Sequence, residues 1–263
     1  MEIRPGPAAL MAAMLLAAAV FPPVALFLVA TGAVIAVHEA AHALVARRVG
    51  VGIEAAGLGF GPLVARLSLR GVALELRAIP AGGYVGLVGM STPGPRAFAA
   101  ASRPARAAIL AAGPLANLLL GALLLLAAPF ATGAAPARAV AAAGEIAGLI
   151  GGGTVDALLR PFLTGDAIAL PLAGPLGAAA VIAASASSVP MLLVAGSMLS
   201  VGIGLANLLP LPLIDGGRIV DLVRDRPAPT GRAAAAPAFA IVAAGIIIDL
   251  LRIVAGHPYA PHF

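Results

Sequence analysis

The chain has 263 residues, 61% of them hydrophobic and only 10% charged, with a net charge of +5 and no cysteine. A soluble globular domain carries about 25% charged residues, so the composition excludes one and indicates an integral membrane protein. The absence of cysteine excludes disulfides and thiolate chemistry, and the sixteen basic residues, all Arg, sit beside apolar runs rather than among aromatics, which suits topology and anionic lipid headgroups and not nucleic acid.

The first apolar stretch runs from Pro7 to Val45 and is broken by Phe21-Pro22-Pro23. It exceeds the roughly 20 residues of one span. Arg4 and the Arg47-Arg48 pair flank it as cytoplasmic markers, which favours two passes. Its thin N-terminal basic region and the lack of a small-x-small site argue against a cleavable signal peptide. From Gly57 to Met90 the period changes to two. Leu63, Ala65, Leu67 and Leu69 alternate with Val64, Arg66, Ser68 and Arg70, and the alternation resumes after Gly71 through Ala78. This predicts a β-hairpin turning at Arg70-Gly71, followed by the Gly-rich Ala81-Gly82-Gly83-Tyr84. The hairpin is either a structural element on the membrane surface or an edge for an unwound substrate to pair with.

Arg96, Arg103 and Arg106 lead into a span from Ala107 to Ala128, which contains Gly113-Pro114-Leu115-Ala116-Asn117. Residues 132–170 are mixed in composition and predict a short extramembrane connection, too short for an inserted globular domain. A further apolar region from Leu170 to Leu213 is split near Ser187-Ser188-Val189-Pro190, and a last span runs from Ala233 to Val254 after the basic loop Arg218, Arg224, Arg226 and Arg232. The expected fold is an all-α polytopic membrane protein of about four to six transmembrane helices with a small membrane-associated β-hairpin. It forms one domain over residues 1–263, with the hairpin and Gly-rich loop inserted at 57–90.

His38-Glu39-Ala40-Ala41-His42 carries the chemistry. Residues i and i+4 share a helix face, so the two imidazoles can hold one Zn²⁺ while Glu39 polarises its water. With four His and five Glu in the chain, chance gives H-E-x-x-H in roughly one such sequence per thousand. The motif ends the apolar run Val24 to Val37, and ionisable groups at membrane depth point to function. A catalytic zinc takes about three protein ligands. His257 and His262 lie in a Pro-containing tail. Asp215 follows Asn207-Leu208-Leu209-Pro210-Leu211-Pro212-Leu213-Ile214, where two prolines interrupt helical hydrogen bonding and the freed backbone needs a buried or water-lined place. It is the best third ligand, although an Asp there also suits a turn.

Together these residues resemble the site-2 intramembrane metalloproteases. The resemblance rests on H-E-x-x-H at His38 to His42, N-x-x-P-x-P-x-x-D-G from Asn207 to Gly216, Gly113-Pro114 with Asn117, and Ile79-Pro80-Ala81-Gly82-Gly83-Tyr84-Val85. It covers residues 24–130 and 170–255, and is closest to the bacterial branch that cleaves anti-sigma factors and signal-peptide remnants. That branch usually carries PDZ domains where residues 132–170 leave room for none. The resemblance implies His38, His42 and Asp215 as zinc ligands, Glu39 as general base, and Asn117 and Asn207 as substrate-positioning residues; interhelical hydrogen bonding is an alternative use for both asparagines. It implies peptide hydrolysis within or near the spans of a single-span membrane protein, in a multi-pass protein of the bacterial inner membrane with its active site toward the cytoplasm. A metal-binding transporter or sensor without protease activity is the competing reading.

Overall fold

A computed structural model of the chain describes residues 2–20, 22–90, 95–145, 147–148, 175–211, 214–225 and 250. Helix α1 spans Pro5–Val20 and α2 spans Pro22–Arg48. A helix tolerates Pro in its first turn, where the missing N–H has no partner to lose, so the Pro22-Pro23 pair begins α2 rather than kinking one long helix. Helix α3 spans Arg103–Phe130 and is capped by Ser102, whose hydroxyl accepts from the Ala105 N–H. Helix α4 spans Pro175–Ala184, α5 spans Val189–Leu208, and the short α6 spans Asp215–Val223.

Three helices among the described residues are long and apolar enough to cross a membrane: Ala25–Arg48, Arg103–Phe130 and Val189–Leu208. The sequence predicts about four to six. At 16 residues α1 is shorter than the roughly 20 of a usual span, and it begins at a β-sheet. The expected span from Ala233 to Val254 lies outside the described residues apart from Leu250, as do Arg226, Arg232, His257 and His262. Residues 136–145 of the expected connection are helical, and residues 149–170 of it are outside the described set.

Helices α3 and α5 approach closely because small residues line their contact. A Cβ on Gly121 would meet Val201 Cγ2 at 2.5 Å, and one on Gly204 would meet the Pro114 carbonyl at 3.0 Å. Two serine hydroxyls of α5 donate across this seam at 2.8 Å, Ser197 to the Gly121 carbonyl and Ser200 to the Asn117 carbonyl.

The sheet has the order β1-β2-β3, with β1 at Glu2–Ile3, β2 at Ile53–Leu69 and β3 at Val72–Leu87. The turn falls at Arg70-Gly71, as the alternation predicts, with both residues at positive φ (51° and 81°), as a two-residue type I′ connection requires. Both long strands bend. Leu63–Leu69 faces Val72–Arg77 across the turn, while Ala55–Leu58 has Gly83–Gly86 on one side and Ala73–Leu76 on the other. The N-terminal β1 pairs with Ala65 and Arg66.

The faces of this sheet differ from a soluble hairpin. Val64, Ala73 and Ala78 are buried, whereas Leu67 and Leu69 are 46% and 55% exposed and Leu74 and Leu76 are also exposed. The leucines therefore point out, and the inner face carries Glu75, whose side chain is only 10% exposed, with Arg77 beside it. Large apolar side chains facing out are favourable where the surroundings are themselves apolar, since no water is then ordered by them.

Candidate metal centre

His38 and His42 project from one face of α2, with ring centroids 4.7 Å apart and the planes inclined by 75°. Helix α3 passes directly over them at Gly113. A Cβ there would lie 2.6 Å from His38 Nε2 and would collide with His42 Nε2 as well, so only glycine lets α3 come this near. Asp215 arrives from the third direction as the first residue of α6, where an anionic side chain suits the positive end of the helix. Gly216 fixes that approach: any side chain on it would run into the Leu208 and Leu209 carbonyls at the end of α5.

The result is a compact triangle of buried donor atoms. His38 Nε2 lies 3.1 Å and His42 Nε2 3.2 Å from Asp215 Oδ2, and the two Nε2 atoms are 3.0 Å apart. His42 is oriented from behind, since its Nδ1–H donates to the Ile109 carbonyl at 2.7 Å. That commitment leaves Nε2 as a lone pair facing a carboxylate oxygen. Two acceptors at 3.2 Å are satisfied by a cation between them. The spacing also suits a metal ion, because tetrahedral zinc with bonds of about 2.0–2.2 Å keeps its ligand atoms roughly 3.3–3.6 Å apart, a small expansion of this triangle. Among the described residues this is the one group of three His, Cys, Asp or Glu donors close enough to hold an ion.

Glu39 follows His38 on α2, is half-buried, and stands within electrostatic reach of His38, His42, Asp215 and Arg218. The sheet reaches it: a Cβ on Gly83 would lie 3.1 Å from Glu39 Cγ and 3.0 Å from Ile35 Cγ2. The strand therefore touches the site at Gly83 of β3, and among the described residues segment 83–87 has one strand neighbour, Ile53–Leu58. The stretch 63–79, which the sequence offers as either a structural hairpin or an edge for substrate, is flanked by β1 and by Ala55–Leu58 along much of its length.

A polar bridge holds this outer segment. Gly57 lies opposite both Tyr84 and Glu75, and its missing side chain lets the Tyr84 ring cross it. The Tyr84 hydroxyl donates to the Glu75 carboxylate, which also accepts from Arg77 Nη2 at 2.7 Å. Arg77 Nη1 in turn donates to the Gly61 carbonyl at 2.9 Å. The Tyr84 hydroxyl chiefly, and the Arg77 guanidinium after it, hold the Glu75 carboxyl below its ordinary value.

Of the two asparagines singled out in the sequence, only Asn117 joins the centre, with its amide nitrogen 3.2 Å from His38 Nδ1. Asn207 donates from its side chain to the Ile203 carbonyl of its own helix at 2.9 Å. Sequence reasoning missed the Ile109 carbonyl, because a backbone acceptor leaves no mark on residue identity. It noted Gly113 without the reason for it, which is the contact with both imidazoles.

Residues 26–251 match the model of peptidase family M50. The chain belongs to this family. The M50 membership agrees with the resemblance to site-2 proteases carried by its motifs. Similar proteins include one from Chlamydia trachomatis provisionally named a zinc metalloprotease, 38% identical over 104 residues, covering 34% of this chain and 17% of that protein. The regulator of sigma-E protease RseP of Escherichia coli is 44% identical over 98 residues, covering 35% of this chain and 22% of RseP. Another provisionally named zinc metalloprotease, from Clostridium acetobutylicum, is 35% identical over 99 residues, covering 37% and 29%. The chain thus spans less than a third of the length of these relatives.

Proposed function

We propose that this M50 protein is an intramembrane zinc metallopeptidase that hydrolyses peptide bonds within or near the transmembrane segments of membrane-protein substrates. The observation that carries the reading is the buried triangle of His38, His42 and Asp215, with edges of 3.0–3.2 Å, beside Glu39 on a helix long and apolar enough to cross a membrane. His38, His42 and Asp215 would hold the zinc. Bound there, zinc would supply Lewis acidity to water and to the scissile carbonyl.

The protein's own residues do the rest. Glu39 takes the proton of the attacking water and delivers it to the leaving nitrogen. A substrate helix hides its carbonyls in i to i−4 bonds, so it must unwind before attack. Among the described residues segment 83–87 pairs on one side only, with Ile53–Leu58, and its other edge, next to the Gly83 that packs on Glu39, offers backbone groups to an extended chain by strand addition. A single-span membrane protein, such as an anti-sigma factor or a signal-peptide remnant, is the substrate class. The protein is multi-pass in the bacterial inner membrane, and Arg47, Arg48, Arg103 and Arg106 put the centre's end of the spans toward the cytoplasm.

The test is cleavage of a single-span reporter by wild type and Glu39→Gln, with zinc content measured in both. Cleavage by wild type alone, with zinc retained in both, is the expected result. Zinc without cleavage in either, together with zinc flux across vesicles that survives Glu39→Gln, would move the protein to the transporter class.

A further inference from the structure

Asn117 is fully buried, and its place is fixed by its neighbours. The Ser200 hydroxyl donates to its backbone carbonyl, and a Cβ on Gly204 would sit 3.1 Å from its own Cβ. Its amide faces His38 Nδ1, the ring nitrogen turned away from the donor triangle. The amide nitrogen lies 3.2 Å from Nδ1, while the buried amide oxygen has no hydrogen-bond partner among the described residues. An orphaned buried carbonyl oxygen is costly, on the order of 1–3 kcal/mol.

The two ends of the amide suit two states of the imidazole. With the amide nitrogen donating, Nδ1 is an acceptor and the ring hydrogen is on Nε2, pointing at Asp215 Oδ2. A histidine that ligates through Nε2 carries its hydrogen on Nδ1 and needs an acceptor there. A half-turn of the Asn117 amide puts the oxygen at that position and gives the orphaned atom its partner. His42 has the same need met by the immobile Ile109 carbonyl.

We propose that Asn117 is a positioning residue for His38. Its amide turns over when the site takes a metal ion, accepts the Nδ1–H, and so fixes the Nε2 lone pair on the ion. The inference rests on the reading of His38, His42 and Asp215 as metal ligands but is independent of peptide hydrolysis. It replaces the substrate-positioning role that the motif suggested for Asn117.

The experiment uses the purified full chain in detergent and measures zinc affinity by competition with a chelator, for wild type, Asn117→Ala and Asn117→Asp. Asn117→Ala should weaken zinc binding by about 10–100-fold. Asn117→Asp, which can accept from Nδ1–H, should hold zinc at least as tightly as wild type. Affinities equal in all three proteins, or weakened alike in both variants, would overturn the proposal. A rise in KM at saturating zinc with unchanged zinc affinity would return Asn117 to the substrate. The chain has only two asparagines, so ¹⁵N-asparagine labelling of the wild type gives a second readout that needs no variant. Zinc should shift the Asn117 side-chain amide signals and leave those of Asn207 in place; an unmoved Asn117 would overturn the proposal as well. A wild type that binds no zinc would instead remove the metal reading beneath it.

Discussion

Gly83 rests against Glu39 so closely that a Cβ on the glycine would lie 3.1 Å from Glu39 Cγ. The sheet and the H-E-x-x-H helix therefore meet at the residue proposed as the base. Gly83→Val would press on Glu39, Ile35 and the Gly57 carbonyl at once. We expect turnover to fall by about 10–100-fold, since displacements near 1 Å have effects of that order, with zinc content unchanged. Reporter cleavage together with metal analysis checks this, and zinc loss would show that the strand supports the metal centre rather than the base.

Removing any one donor of the triangle should empty it. For Asp215→Ala and His38→Ala we expect no zinc after dialysis and no cleavage. A strong chelator should likewise abolish wild-type cleavage, with recovery on adding zinc back. Cleavage that persisted in Asp215→Ala would require a different third ligand.

Gly216 carries a steric prediction. The Leu208 and Leu209 carbonyls leave no room for a methyl group, and backbone gives way less readily than a side-chain tip. Gly216→Ala should cost about 1–3 kcal/mol, seen as a lower melting temperature, and should weaken zinc binding because α6 carries Asp215. Gly202→Ala, with open space around it, should change neither and serves as the control.

The Tyr84–Glu75 bridge predicts a pH dependence. Its hydrogen bond favours the carboxylate, so the folded protein holds the Glu75 carboxyl below the ordinary value of 4.5. The stabilisation is fully present above that value and is lost as pH falls through the lower folded one. Tyr84→Phe should therefore lower the melting temperature by roughly 2–4 °C near pH 7. The gap to wild type should close as the pH falls through the lowered folded value of the Glu75 carboxyl. A gap independent of pH would mean that the hydroxyl acts through packing alone.

The parts of this molecule legible in the sequence are those that depend on local pattern. H-E-x-x-H names its own helix face, the alternation around Arg70-Gly71 marks the hairpin and its turn, and the prolines before Asp215 mark where a helix ends. What the sequence hid depends on distance across the fold. Nothing local pairs Ala55–Leu58 with both Ala73–Leu76 and Gly83–Gly86, so the sequence predicts the hairpin but not the bending that brings Gly83 to Glu39. Asn117 illustrates the same limit at the centre. Its motif leaves substrate contact and interhelical hydrogen bonding both open, and the packing of α3 between α2 and α5 is what brings it to His38.

The outward leucines of the sheet carry a consequence for handling and engineering this protein. In water, a Leu-covered outer face favours self-association, so residues 53–87 on their own should stay monomeric only where detergent or lipid covers that face. Ordinary surface design would fail here for the same reason. Were that face to lie in lipid, exchanging Leu74 or Leu76 for a charged residue, the usual remedy for a sticky exterior, would place a charge in apolar surroundings, and the chain should become harder to insert and not easier to purify.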